Sequence, residues 1–332
     1  MNHEKDVRSF GKGRSKLRLA QYNKGGTISI VEAEVPTCPE GGLLVQTEAC
    51  GLCSGELMTW YLDRKVPHVL GHEVAGKVVD SQDDRFPVGS RVFPHHHAPC
   101  LACAECKRGA YVHCTQWKRT KLNPGGMAEF FAVSAENLTD TLLVDDLQPR
   151  EAALIEPLAC VVKSLNRVRY RPSEPAVVIG LGVMGLMHLL LMPGAVGFDL
   201  DPRRVEWAKN LGLDARLPGE HRATCIIVCP GSEAALKAGL DCAMPDSRIC
   251  LFAPFPEGQP TLLDLEKLYF KDVTLTTSYS CGPDDTLAAA ILLREKSVRA
   301  EQVVSDFVTL DKLPDAYQRM KAPEILKAMV VF

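Results

Sequence analysis

Two patterns of apolar and polar residues follow one another along the 332-residue chain. From Leu17 to about Val144, short apolar runs are separated by glycine and proline, which predicts a β-rich region. The predicted strands there are Thr27–Glu32, Leu43–Ala49, Val74–Val79, Arg91–Pro94 and Ala128–Val133.

The second half of the chain alternates short apolar runs with helical patterns, and this alternation predicts a parallel sheet with helices packed on it. One helix has clear boundaries, with Asp201 as its cap, Pro202 in its first turn and Gly212 at its end. Ser232 and Asp284 are predicted to cap two further helices. The predicted strands are Val177–Ile179, Val196–Phe198, Cys225–Val228 and Arg248–Phe252.

The last stretch, residues 300–332, returns to strand-like pieces and could rejoin the β-rich region. Gln302–Val304 and Lys327–Val331 are the predicted strands, with one helix near Asp315–Lys321 between them. The length of the chain favours two domains with separate cores.

Composition and charge exclude several classes of protein. The formal charge of −3, with 46% hydrophobic and 24% charged residues, is typical of a globular protein and gives no basic surface for nucleic acid. We find no secretory signal and no run long enough to cross a membrane, so we expect a cytoplasmic protein without membrane partners. Thirteen cysteines, an odd number, fit a reducing compartment better than a disulfide framework.

Four of these cysteines form the strongest motif of the chain. Cys100, Cys103, Cys106 and Cys114 have the Cys-x2-Cys-x2-Cys-x7-Cys spacing with which a single loop can surround one tetrahedral metal. Four thiolates close every coordination position, so we expect a structural zinc lobe at about residues 95–118; an iron–sulfur cluster is the alternative. A histidine run such as residues 95–97 can also bind metal, but beside a complete thiolate site we favour a solvated loop.

A glycine-rich turn in the second half indicates a dinucleotide site. Gly180, Gly182 and Gly185 follow a predicted strand and open a predicted helix, where backbone amides, including those of Val183 and Met184, can meet a pyrophosphate. About twenty residues later, Asp199 ends the next predicted strand, where its carboxylate can accept hydrogen bonds from ribose hydroxyls. Its charge would repel a 2′-phosphate, which favours NAD over NADP, although Arg203 and Arg204 lie close by.

Several motifs occur together in an order that resembles the zinc-dependent medium-chain dehydrogenases. The resemblance runs from about residue 17 to residue 332, and its Glu-Pro-Leu motif is similar to the sorbitol and threonine dehydrogenase branch. It implies a GroES-like β-rich catalytic domain and a Rossmann domain with a doubly wound parallel sheet, hence an α/β fold. The motifs are Gly51-Leu52-Cys53, Gly71-His72-Glu73-Val74-Ala75-Gly76, the cysteine quartet, Gly125-Gly126-Met127-Ala128-Glu129-Phe130 and Ile155-Glu156-Pro157-Leu158.

The resemblance also implies a second, catalytic zinc. Cys53 and His72 would bind it, with Glu73 or Glu156 as the third protein ligand. In that branch the two glutamates can exchange roles, and the sequence leaves open which of them binds the metal. Arg204 occupies a position where the family commonly has a basic residue near the adenosine, although a solvated helix charge is an equally good interpretation.

The chain departs from the family pattern after Cys53. The hydroxyl residue, aspartate and histidine that relatives carry two, three and five positions later are Gly55, Glu56 and Met58 here. In the family this hydroxyl normally begins the proton path. Ser54, one position early, is either its substitute or simply a turn residue.

The resemblance implies three segments: a flexible tail at residues 1–16, a catalytic domain at residues 17–158 and 298–332, and an NAD-binding domain at residues 159–297. We expect an enzyme with two zinc ions per chain that transfers hydride between NAD and a secondary alcohol or the corresponding ketone, assembled as a homodimer or homotetramer. The alternatives are a zinc-independent reductase of the same superfamily and a catalytically silent protein that binds zinc or nucleotide.

Overall fold

The structure, a computed structural model, describes residues 15–258 and 260–332. The expected tail at residues 1–16 therefore lies outside the described residues except for its last two. Contacts divide the chain into two compact units. The first contains the described residues up to Pro157 together with Cys281–Phe332, and the second is Leu158–Ser280.

The strands follow the short apolar runs of the sequence. Most of the predicted strands are present, several of them a few residues longer than the sequence indicated. In chain order the strands are β1 (Lys16–Asn23), β2 (Thr27–Glu34), β3 (Leu43–Gly51), β4 (His68–Val69), β5 (Glu73–Ser81), β6 (Arg91–Pro94), β7 (Phe130–Val133), β8 (Thr141–Leu143), β9 (Ala176–Ile179), β10 (Val196–Phe198), β11 (Ala215–Arg216), β12 (Ala223–Val228), β13 (Ala243–Leu251), β14 (Thr274–Thr277), β15 (Asp306–Val308) and β16 (Ala328–Val331).

Helices before residue 153 are four or five residues long, and most of the later helices are longer. The α-helices are Thr59–Leu62, Ala104–Lys107, Thr115–Arg119, Pro149–Ala152, Ile155–Val168, Val183–Leu191, Pro202–Asn210, Glu233–Cys242, Leu265–Phe270, Pro283–Arg294, Ala300–Val303 and Leu313–Lys321. Short 3-10 helices cover Ser54–Leu57, Tyr111–His113, Ala135–Asp140 and Leu310–Lys312. Among the described residues, no helix has the length and apolar character that a bilayer crossing requires.

The first unit contains two sheets. Strands β2, β1 and β4 form one, and β15, β16, β3, β5, β6 and β8 follow one another in the other, with β7 added on β3. A core that includes Val45, Val74 and Phe131 is fully buried in this unit. Strands β3 and β5 are antiparallel, and their register places Gly51, the last residue of β3, opposite Glu73, the first residue of β5. This register brings two of the distant sequence motifs together.

The second unit is a parallel sheet of six strands in the order β11-β10-β9-β12-β13-β14. Numbered within the unit, the order is 3-2-1-4-5-6, which is the arrangement of a doubly wound dinucleotide-binding domain. The first strand, β9, lies at the point where the order reverses, and the glycine-rich turn follows it directly. The predicted GroES-like and Rossmann fold class is confirmed.

Two local predictions were wrong. Gly282, rather than Asp284, caps the helix Pro283–Arg294; the Asp285 carboxylate accepts the Gly282 amide at 3.0 Å, and Asp284 accepts the Tyr111 hydroxyl at 2.9 Å. The segment predicted as strand Gln302–Val304 is mostly helical, within Ala300–Val303, because the Gln302 side chain accepts the Arg299 amide at 2.8 Å in a capping interaction. By contrast, the predicted caps Asp201 and Ser232 are confirmed.

Candidate metal and nucleotide sites

Cys53, His72 and Glu73 form a compact group of three possible metal ligands. Their ligand atoms all lie within 4.8 Å of one another. Cys53 follows the end of β3 and caps a 3-10 turn, where its sulfur accepts the Gly55 amide at 3.3 Å. Glu73 begins β5, so the β3–β5 register brings these side chains together.

Glu56 holds the imidazole of this group in place. Its Oε1 lies 3.2 Å from His72 Nδ1 and accepts the Gly71 amide at 2.7 Å, while its Oε2 accepts the Cys53 amide at 3.3 Å. Burial alone would raise its pKa, but His72 and the Gly71 amide hold the pKa of Glu56 below its ordinary value. A carboxylate on one ring nitrogen fixes the tautomer that presents the other nitrogen to a metal.

Gly71 is required for this arrangement. Its φ of +97° favours glycine, and an added Cβ would lie 2.4 Å from the Met127 amide nitrogen and 2.7 Å from Cys50 Sγ. The close approach lets the Gly71 amide reach Glu56.

Lys327 supplies a buried positive charge beside Glu73. Its ammonium pairs with Glu73 Oε2 and donates a hydrogen bond to the Leu52 carbonyl at 3.1 Å. Both side chains are 2% exposed. Burial would lower the pKa of Lys327, but the Glu73 and Cys53 side chains raise it above its ordinary value. The buried ammonium therefore compensates the charge of this candidate ligand.

The group fits a zinc ion in ligand type and in charge. Thiolate, imidazole and carboxylate are the ligands of zinc in proteins, and three of them leave a position for substrate. Burial raises the pKa of the Cys53 thiol. Burial would also lower the pKa of His72, but Cys53 and Glu56 hold that pKa well above its ordinary value, so the surroundings of the ring favour a positive charge.

Glu156, the other candidate ligand, belongs to a different group. It lies in the first turn of the helix Ile155–Val168 and is 6% exposed. Its carboxylate is grouped with His95 and Cys281, with ligand atoms within 4.8 Å of one another. It remains near enough to Cys53 to contribute to the raised pKa of that thiol.

Ser54 is exposed at the first position of the turn that Cys53 caps. A Cβ at Gly55, where relatives carry the hydroxyl residue, would lie 3.5 Å from Cys53 Sγ and meet no closer atom. The relay position therefore faces the candidate ligand, and this chain has no side chain there.

The histidine run is not the solvated loop that the sequence suggested. His95 is fully buried, and its Nδ1 lies 2.7 Å from the Asp140 carboxylate. The His96 ring lies 4.9 Å from both the His72 and His95 rings, and the His97 ring lies 4.1 Å from that of Trp117. The prediction of a solvated loop was wrong because the sequence could not show that the chain packs these rings against the metal-ligand groups.

The cysteine quartet has the geometry of a tetrahedral site. Three of its sulfur–sulfur distances are 3.5, 3.6 and 4.0 Å, close to the roughly 3.8 Å that zinc–sulfur bonds of about 2.3 Å give at a tetrahedral angle. Burial raises the pKa of Cys114, but backbone amides, including that of Cys100, lower it to about 6. These donors stabilise the thiolate form that a metal requires.

The glycine-rich turn of the second unit has the form that a pyrophosphate site requires. Gly180 follows β9 with a φ of +88°, and Gly182 caps the helix Val183–Leu191. A Cβ at Gly185 would lie 1.8 Å from the Gly180 carbonyl oxygen, so only glycine allows the helix to approach the turn. Val183 and Met184 occupy the first turn of this helix, whose N-terminal amides favour an anion.

Asp199 lies directly after β10 and supports the same turn. Its Oδ2 accepts the Leu181 amide at 2.6 Å, and its Oδ1 accepts the Asp201 amide at 2.8 Å. Arg204 Nη1 lies 3.6 Å from the Asp199 carboxylate, whereas Arg203 pairs with Asp201 at 2.7 Å. Arg204 is thus the arginine nearer to the expected ribose position.

Comparison with known proteins agrees with this architecture. A family model described as the alcohol dehydrogenase GroES-like domain matches residues 39–142. A sorbitol dehydrogenase of Halalkalibacterium halodurans is 27% identical over 92% of this chain and 96% of its own length. A D-altritol 5-dehydrogenase of Agrobacterium fabrum is 29% identical over 94% of this chain and 98% of its own length. Along almost its whole length the chain is therefore similar to alcohol dehydrogenases that act on polyols.

A solved structure of similar fold is a putative zinc-binding dehydrogenase from Sinorhizobium meliloti bound to NADP. It has a TM-score of 0.85 at 21% identity, over 96% of this chain and all of its own. At this identity the likeness establishes the fold. The predicted resemblance to the sorbitol dehydrogenase branch is confirmed by the curated relatives.

Sequence reasoning missed three residues that lie in or beside the ligand groups. Glu56 was noted only as a departure from the family, although its place three residues after a capping Cys53 is a capping-box signal. Lys327 and Cys281 gave no signal, because their partners are far away in the sequence.

Proposed function

We propose that this chain is a zinc-dependent, NAD(H)-linked dehydrogenase that oxidises a secondary alcohol of polyol type to a ketone, or catalyses the reverse reduction. The observation that carries the proposal is the group of Cys53, His72 and Glu73, with His72 oriented by Glu56, in a chain that also contains a nucleotide-type turn. Relatives named for sorbitol and D-altritol support the polyol class.

We assign the catalytic zinc to Cys53, His72 and Glu73, and a structural zinc to the cysteine quartet, which makes two per chain for this activity. Bound zinc would supply a Lewis acid that lowers the pKa of the substrate hydroxyl and polarises the ketone oxygen. Cys53 and Glu73 supply the negative charge that holds the metal, and Lys327 limits how much of the Glu73 charge reaches it.

We assign the dinucleotide to Gly180, Gly182, Val183, Met184 and Gly185, with the adenosine ribose at Asp199. The bound nicotinamide would supply the hydride acceptor. The Asp199 carboxylate accepts two backbone amides and lies beside Arg204. Its remaining lone pairs can still accept hydrogen bonds from ribose hydroxyls. This charge favours NAD over NADP, and Arg204 accounts for any residual use of NADP.

The substrate proton leaves without the usual hydroxyl relay. Gly55 has no side chain at the relay position and Ser54 is exposed, so we infer that water receives the proton. Introducing Gly55→Ser places a hydroxyl near Cys53 Sγ, and kcat should rise wherever proton release limits turnover. Ser54→Ala is the matched comparison and should leave kcat unchanged.

The two rival functions have weaker support. A zinc-independent reductase has no need for the Glu56-oriented His72, and a silent binding protein has no need for the buried pair of Lys327 and Glu73. Zinc at the Cys53 group together with turnover of an alcohol would exclude both.

We also propose assembly as a homodimer or homotetramer, in the cytoplasm. Strand β14 is at the edge of the parallel sheet, and the helix Leu265–Phe270 that precedes it exposes Leu265, Tyr269 and Phe270 by 70, 79 and 78%. An open strand edge beside an exposed apolar surface is typical of a subunit interface. The cysteines are free thiols, in keeping with a reducing compartment.

The direct test is a panel of polyols and secondary alcohols assayed by NADH absorbance, with NAD and NADP each at saturation. Zinc content is measured on the same sample. We expect turnover of at least one polyol with NAD, and its loss in Cys53→Ser. Full zinc occupancy at the Cys53 group, with no turnover of any alcohol or ketone, would refute the proposed function.

A further inference from the structure

His95, Glu156 and Cys281 form a second mixed group of possible metal ligands in the first unit. Their ligand atoms all lie within 4.8 Å of one another, and the three residues are almost completely buried. The group draws on separate parts of the chain: the loop after β6, the start of the helix Ile155–Val168, and the residue at which the chain re-enters the first unit.

The imidazole of His95 is oriented in the way that metal-binding histidines are. Its Nδ1 lies 2.7 Å from Asp140 Oδ2, and both side chains are completely buried. The other oxygen of Asp140 accepts the Thr286 hydroxyl at 2.6 Å, which fixes the carboxylate. With Nδ1–H donated to Asp140, the Nε2 lone pair of His95 is available to a metal.

The remaining atoms of the group face that lone pair. Cys281 Sγ lies 3.6 Å from His95 Nε2. Zinc bonds of about 2.05 Å to nitrogen and about 2.3 Å to sulfur, at a tetrahedral angle, place those two atoms roughly 3.6 Å apart. The separation in the structure therefore fits one zinc ion between them, with Glu156 as the third ligand.

This group repeats the composition of the Cys53 group. Each contains a thiol, an imidazole and a carboxylate, and in each a further buried carboxylate, Glu56 or Asp140, lies at Nδ1 of the histidine. The repetition extends to the orienting carboxylate, which is a usual partner of a metal-binding histidine.

We propose that His95, Glu156 and Cys281 bind a further zinc ion, separate from the quartet and from the Cys53 group, with Asp140 as the positioning residue. Borderline-soft zinc suits this mixed nitrogen, oxygen and sulfur set. Because the ligands are buried, the ion is acquired as the chain folds, and it ties the returning C-terminal segment to the loop after β6. The proposal goes beyond the proposed function and does not depend on it.

Metal counting on the full chain tests the proposal. We expect about three zinc ions per wild-type chain, and about one fewer in Cys281→Ala. The matched control is Cys250→Ala, because Cys250 is also fully buried but lies in β13 of the second unit. Equal zinc content in Cys281→Ala and Cys250→Ala would overturn the proposal, since Asp140, His95 and Cys281 would then form only a hydrogen-bonded chain.

Wild-type crystals provide a second measurement if Cys281→Ala fails to fold. Anomalous scattering at the zinc edge should give a peak about 2.3 Å from Cys281 Sγ, and the absence of this peak would overturn the proposal. The peak expected at Cys53 and the turnover of alcohol are separate readouts, so failure of the proposed function is distinguishable from failure of this one.

Discussion

Replacing Glu56 by glutamine tests whether the carboxylate behind His72 controls metal affinity. In the structure Glu56 Oε1 faces both the Gly71 amide and His72 Nδ1, and Oε2 faces the Cys53 amide, so all three neighbours can donate hydrogen bonds to it. Glutamine has one accepting oxygen. If that oxygen keeps the hydrogen bonds from the Gly71 amide and His72 Nδ1, the new NH2 group faces the Cys53 amide. Two donors then face one another, and the Cys53 amide has lost its acceptor.

The size of the expected loss of zinc affinity follows from the hydrogen bond and the charge that Glu56→Gln removes. One buried amide without an acceptor costs about 1–3 kcal/mol, and the neutral side chain no longer increases the basicity of the His72 ring. Loss of an orienting partner typically weakens metal binding about 10- to 100-fold, or roughly 1.4–2.7 kcal/mol. We expect zinc at the Cys53 group to be weakened by this amount in Glu56→Gln, while the rate per bound zinc stays close to that of wild type.

Chelator competition followed by a zinc-sensitive dye measures this affinity directly. Zinc in the cysteine quartet is an internal reference, because Glu56 does not contact it. Glu32→Gln is the matched control, since Glu32 pairs with Lys16 at the surface, where the side chains are 63 and 61% exposed. Identical zinc release from Glu56→Gln and wild type would refute the idea that Glu56 orients a metal ligand.

Three further predictions concern the cofactor, a buried ion pair and pH. In Asp199→Asn, the ratio of kcat/KM for NADP to kcat/KM for NAD should rise on the order of tenfold. The substitution removes a negative charge and frees Arg204 from its partner at 3.6 Å. Steady-state kinetics with both cofactors measures this ratio. Lys327→Met should destabilise the zinc-free protein by about 3–5 kcal/mol in urea unfolding, because it leaves Glu73 buried without its partner. Burial lowers the pKa of His188 to about 4. As the pH falls below the ordinary pKa of histidine, only the unfolded chain gains a proton, so the free energy of unfolding should fall by at most roughly 3 kcal/mol between about pH 6.5 and pH 4. The same titration on His188→Gln should be flatter.

The sequence predicts features that depend on neighbouring residues better than features that depend on distant ones. Strand β10 and the helix after Asp201 have the predicted starts, because alternation, proline and capping act within a few residues. Gln302 was assigned to a strand from its apolar neighbours, although its side chain caps the helix that contains it. Propensity alone does not reveal such a competing side-chain bond.

The candidate sites likewise differ in whether their residues are neighbours in the sequence or are far apart in it. The quartet and the glycine-rich turn each lie within one short segment. The spacing of the cysteines predicts the first, and the position of the glycines between a predicted strand and a predicted helix predicts the second. The pairing of Lys327 with Glu73, and of Cys281 with His95, joins residues at opposite ends of the chain, and only the fold brings them together. Single-sequence patterns contain no record of such contacts.

The sequence also left open which of two glutamates binds the catalytic metal, and the structure places them in different groups. Exchange of one ligand for the other requires both carboxylates to serve the same metal, but Glu73 is held by Lys327 beside Cys53, and Glu156 lies with His95 and Cys281. If the two groups bind separate ions, Glu73→Gln should release the zinc at Cys53 and leave that at Cys281, whereas Glu156→Gln should do the reverse. Release of the Cys53 zinc by both substitutions would instead show that a single metal uses both carboxylates.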